Sequence, residues 1–107
     1  GRILPVQQTD YDFLTEKKIG DIRIDGPLAI DLKSRIAATV RSEKSGIGMK
    51  VITNQPALIV YMPPEFPAIC FETQNFPDAP NQIGFPSSVL RPGEKYRNAS
   101  EFKFFMT

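Results

Sequence analysis

Histidine is absent from the 107 residues. That absence excludes, within this chain, an imidazole acid or base, a Ser-His-Asp triad and any histidine-held metal. Cysteine occurs once, at Cys70, so neither an internal disulfide nor a cysteine cluster for zinc is available. Charge of either sign is not in excess: 13 lysines and arginines face 12 aspartates and glutamates, a net of +1. Such a balance offers no electrostatic attraction to nucleic acid or to an anionic membrane, and neither is an expected partner. No apolar run approaches the ~18–20 residues that cross a bilayer, and the N-terminal residues lack the apolar centre of a signal peptide. A cytoplasmic location is expected. The sequon Asn98-Ala99-Ser100 matters only in a secretory compartment.

What is present fits one small domain, residues 1–107. Apolar residues make up 41% and charged residues 23%, close to the globular average. Ten prolines and seven glycines are spread along the chain and interrupt any long helix. Residues 35–41 and 47–53 alternate apolar and polar, and the polar connector Ser42-Glu43-Lys44-Ser45-Gly46 joins them as a hairpin would. The apolar run 57–62 has the length of a strand buried on both faces. A proline-rich loop, 63–67, precedes a short strand over 68–72. Turn residues dominate 73–84, and residues 101–105 form a last strand pattern. The expected fold is all-β: an antiparallel β-sandwich.

The segment from Phe71 to Asn81 carries the most chemistry. Alternation puts Ile69 and Phe71 on one face of the strand, Cys70 and Glu72 on the other. A carboxylate beside apolar neighbours at a strand end serves as a proton acceptor when desolvated. The same Glu72 reads equally as a solvated strand end, with Asp78 and Asn81 bonding the turn. Composition leaves both readings open. Phe102, Phe104 and Phe105 read as core, and Glu16-Lys17-Lys18 as a solvated loop.

The run Cys70-Phe71-Glu72-Thr73-Gln74-Asn75-Phe76-Pro77-Asp78-Ala79-Pro80-Asn81-Gln82, followed by Leu90-Arg91-Pro92-Gly93-Glu94-Lys95-Tyr96, resembles the C-terminal signature of aldose 1-epimerases, the galactose mutarotase family. Leu4-Pro5-Val6 with Thr9-Asp10-Tyr11-Asp12-Phe13 resembles the family's "PV.GTP.DF" segment. Ser45-Gly46 and then Val51-Ile52-Thr53-Asn54-Gln55-Pro56-Ala57 resemble its "SG … V.T.QPG" stretch. The matches keep the family's order along nearly the whole chain.

The resemblance implies the C-terminal portion of a β-supersandwich that interconverts the α and β anomers of an aldose. Ring opening needs a base for the anomeric hydroxyl proton and an acid for the ring oxygen. The family's base is the glutamate of its "ETQ" motif, which is Glu72 here. A substrate-binding aspartate of the family's "DH" pair corresponds to Asp25, where Gly26 replaces the histidine. Asp25 also reads as a turn residue, since Asp-Gly and Gly-Pro both favour turns. A glutamine that contacts sugar in many members is Ile59 here. The family's acid, a histidine, lies upstream of the matching segment.

The implied partner is a monosaccharide. No metal or organic cofactor is implied. Because the acid is missing, the isolated chain is expected to be inactive, the remnant of a longer enzyme or a half that another chain completes. The alternative is a non-catalytic carbohydrate-binding or assembly module. A segment of a larger sandwich exposes strand edges, so a homo-oligomer or a complementing chain is expected to cover them.

Overall fold

The computed structural model describes all residues, 1–107. Six strands follow one another: β1 (Asp25–Ala29), β2 (Ile36–Ser42), β3 (Ile47–Thr53), β4 (Ala57–Tyr61), β5 (Cys70–Gln74) and β6 (Ser100–Met106). The only helical element is a 3-10 turn, Ala79–Asn81. The strands form two antiparallel sheets, β1-β4-β5 and β2-β3-β6. The all-β antiparallel sandwich expected from the sequence is the one observed.

Alternation decides which side chains meet. Leu58 and Val60 of β4 point to one side of the first sheet, and Val51 of β3 points back from the second. With Ile24 and Met62 they form the buried core, and Leu28, Ala38, Met49, Ile69 and Phe71 pack around it. Apolar burial of this kind supplies about 1.5–3 kcal/mol for each fully buried side chain. A smaller cluster of Ala57, Phe76, Ala79 and Phe85 sits on the other side of β4, with the two rings stacked at 4.9 Å.

Between these clusters a polar corner joins the sheets. Thr53, fully buried, shares a hydrogen bond of 2.9 Å with Ser100, and its hydroxyl accepts the Gln55 N–H at 3.1 Å. The Gln55 amide donates to the Arg97 carbonyl and accepts from the Tyr96 hydroxyl. Asn54 accepts the Ala99 N–H and donates to the same Arg97 carbonyl. Thus the Thr53-Asn54-Gln55 stretch is a structural brace that anchors the entry to β6.

Two expectations need correction. β1 was hidden by Asp25-Gly26-Pro27, which reads as a turn and is a strand. The N–H groups of Ile30 and Met62 bond to Pro56 and Ile24 across β1 and β4, so even-numbered residues of β1 face β4. Pro27 therefore turns its missing N–H to the open edge, where no ladder bond is lost. The aromatics of β6 are not core: Phe102 is 45% and Phe104 68% exposed, while Phe105 is half-buried. Phe102 and Phe104 do lie on the core-facing side, paired with Val51 and Met49, but the opposing sheet does not reach them.

Candidate active site

The outer face of the β1-β4-β5 sheet is built from the alternate residues that the core does not use. Pairing aligns Asp25, Tyr61 and Cys70 in one row, and Pro27, Ile59 and Glu72 in the next. Ala29, Ala57 and Gln74 make a third row. Side chains paired in this way share a face, so Asp25 and Glu72 look out from the same side. They stand on the two edge strands, flanking β4, one step of two residues apart along the strand direction. Sheet spacing puts their Cα atoms about 12 Å apart.

Glu72 occupies the centre of β5, since the strand continues through Thr73 and Gln74 to pair with Leu58 and Ala57. The sequence pattern had ended the strand at residue 72. The carboxylate is exposed and makes no hydrogen bond or ion pair. Its strand is held from beyond: the Thr73 hydroxyl shares a 2.7 Å bond with Ser100, and the Asn98 amide donates to the Thr73 carbonyl at 3.1 Å. Asn98 in turn accepts from the Ser100 hydroxyl. The sequon residues are thus committed to fixing β5.

Asp25 is exposed as well, and only its carbonyl is engaged, by the Tyr11 hydroxyl at 3.5 Å. Tyr61, half-buried, adjoins Asp25 in its row, and Ile59 separates Pro27 from Glu72. The outer face thus offers a carboxylate at each side and an apolar floor between them. Its lower end is closed by the loop carrying Phe76 and Phe85, whose cluster covers Ala57. Within that loop Asp78 adopts a left-handed backbone, φ 61°, and accepts bonds from the Asn81 and Gln82 side-chain amides. Those two bonds, that of Asn81 first, hold its carboxyl below the ordinary carboxylate range.

An apolar hollow of about 480 Å³ lies on the opposite face of the same sheet. It is the part-filled space between the sheets, lined by Leu28, Val40, Leu58, Val60 and Phe71. Glu16 and Lys18 stand at its rim, ion-paired with Arg41 and Glu43. Neither Asp25 nor Glu72 borders it. No group of three or more metal-ligating side chains is assembled, and no helix is long and apolar enough to cross a membrane.

The sequence motifs around this face match a family model described as aldose 1-epimerase over residues 1–103. The chain belongs to the aldose 1-epimerase family. Among curated relatives, the galactose mutarotases of Pongo abelii and Mus musculus are each 33% identical to it, and that of Homo sapiens is 32% identical. Each match covers 97% of this chain and 37% of the relative. The chain thus spans little more than a third of the length of these mutarotases. The matched span is 128 positions long against 107 residues here, so the relatives carry residues inside it that this chain lacks.

Proposed function

We propose that the chain provides the base-bearing part of an aldose 1-epimerase site. Glu72 takes the proton of the anomeric hydroxyl as the bond between the anomeric carbon and the ring oxygen breaks. An acid protonates the ring oxygen. Rotation of the aldehyde carbon and reversal of both transfers close the ring as the other anomer. Asp25 accepts a hydrogen bond from a sugar hydroxyl on the far side of the ring. The observation carrying this reading is the shared outer face of Asp25 and Glu72, separated by a sugar-sized interval over β4.

These residues include no histidine to act as the family's acid, so the acid belongs to residues outside this span, in a longer form of the same polypeptide or in a complementing one, and this span alone binds sugar without turning it over. Self-association covers its apolar edges. The lone free thiol of Cys70 suits a reducing compartment, and the cytoplasm is the proposed location.

Polarimetry of freshly dissolved α-galactose and α-glucose tests the catalytic part. The purified chain is expected to leave the spontaneous rate unchanged while sugar shifts its NMR signals saturably. Acceleration that disappears in Glu72→Gln would assign catalysis to this chain alone. The absence of both acceleration and binding would overturn the proposal. A non-catalytic carbohydrate-binding module is the second reading, favoured by the same lack of histidine. It is distinguished by sugar binding that Glu72→Ala leaves intact.

A further inference from the structure

The surface between Asp25 and Glu72 has little with which to bond a hydroxyl. A straight path from Glu72 on β5 to Asp25 on β1 crosses β4 between Ile59 and Tyr61, both half-buried. Pro27 stands beyond Ile59 in the row of Glu72. Backbone groups add nothing to this floor. The Ile30 and Met62 N–H groups bond Pro56 and Ile24, so even-numbered residues of β4 serve β1 and odd-numbered ones serve β5. Ile59 therefore spends its N–H and C=O on Glu72. The one hydroxyl of the floor ends the Tyr61 ring, whose negative π face favours C–H groups over hydroxyl oxygens.

An epimerase accepts both anomers on one floor, and ring stereochemistry then limits how the sugar lies. In the chair of a D-aldopyranose the axial groups of C1, C3 and C5 share one face, and those of C2 and C4 share the other. The α anomer carries its axial hydroxyl on the C1/C3/C5 face. Laid on that face, the ring would press a hydroxyl against carbon in one anomer and not in the other. Only the C2/C4 face keeps the same outline in both. On it the gluco and xylo configurations carry hydrogen at both axial positions. The galacto configuration carries an axial hydroxyl at C4, and the manno configuration carries one at C2.

We propose that Ile59 and Tyr61 select aldoses of gluco or xylo configuration, resting on β4 by the C2/C4 face, over their galacto and manno isomers. The inference rests on the outer face being the sugar site and adds which sugar that site takes. The floor lies wholly within residues 1–107, so the selection holds whatever covers the sugar from its other side. A hydroxyl turned to carbon gives up water and gains no partner. An enclosed apolar pocket disfavours an added hydroxyl by ~10²-fold, and a half-open floor by about tenfold.

NMR titration of the chain with D-glucose, D-xylose, D-galactose and D-mannose measures the preference. Glucose and xylose are expected to bind about tenfold more tightly than the other two. Saturation transferred from the protein methyl groups is expected to be strongest at H2 and H4 of glucose. Ile59→Thr keeps the β-branched shape and puts a hydroxyl into the floor. It is expected to narrow the gap about threefold, the worth of one modest hydrogen bond, whereas Ile59→Val keeps the gap. Equal affinity for glucose and galactose, strongest transfer at H3 and H5, or a gap that folded Ile59→Thr leaves unchanged overturns the inference. If Ile59→Thr unfolds, the parent's four affinities and transfer pattern decide. Sugar binding that perturbs Ile59 and Glu72 without preference rejects the selection and keeps the site reading. Binding of none of the four sugars removes both.

Discussion

Thr73 and Ser100 share a hydroxyl–hydroxyl bond of 2.7 Å, and through it the strand that bears Glu72 is tied to the first residue of β6 in the opposite sheet. Ser100 also meets the buried Thr53 at 2.9 Å, so one side chain connects β3, β5 and β6. Thr53→Val leaves the Gln55 N–H without its acceptor inside a buried corner. A loss of about 1–3 kcal/mol is expected, measured as a lower urea midpoint with an unchanged slope.

Gly48 is buried directly opposite Phe105, and a Cβ at residue 48 would run into the Phe105 ring. Gly48→Val is expected to cost about 1–3 kcal/mol by displacing that ring. In the Phe105→Ala background the same change should cost much less, because the obstructing ring is gone. A double-mutant cycle by chemical denaturation gives the coupling, and strict additivity would dismiss the contact.

Asp78 sets an acid-side dependence. Its carboxyl is held below the ordinary value of 3.8, chiefly by Asn81 and then by Gln82. A carboxyl whose folded pKa is depressed stabilises the fold fully above its unfolded pKa. That contribution declines as pH falls towards and through the folded value. Asp78→Ala is therefore expected to flatten the fall in stability below about pH 4 relative to the parent. Because Asp78 is exposed the difference is small, and it is best read from denaturant midpoints over an acid series.

The two carboxylates of the outer face should separate by role. Asp25→Ala is expected to weaken sugar binding, by about 1.5–3 kcal/mol if the lost bond is charge-assisted. Glu72→Gln keeps the shape and a carbonyl acceptor, so binding should fall less. Titration of sugar against each variant by NMR measures both affinities. Equal effects of the two substitutions on affinity would remove the distinction.

Much of this architecture was legible in the chain. The alternation expected over residues 35–41 and 47–53, with Gly46 in the connector between them, marks β2 and β3, which run over Ile36–Ser42 and Ile47–Thr53. β1 escaped notice because Asp, Gly and Pro favour turns wherever the backbone is free, and only pairing with β4 shows that residue 27 needs no N–H. The aromatics of β6 were misread for a different reason. Hydrophobicity tells which way Phe102 and Phe104 point, not whether anything stands opposite. Glu72 stood out through its motif, whereas its companionship with Asp25 depends on β4 lying between strands far apart in sequence. The brace formed by Asn98 was obscured by its membership of a sequon.

The proline at residue 27 has a further consequence for how far such a protein can polymerise. Fibre growth by stacking copies edge to edge requires both margins of a sheet to accept a neighbour. A margin that lacks a donor at its midpoint makes a poor template, so repeated addition through the β1-β4-β5 sheet stalls at its first step.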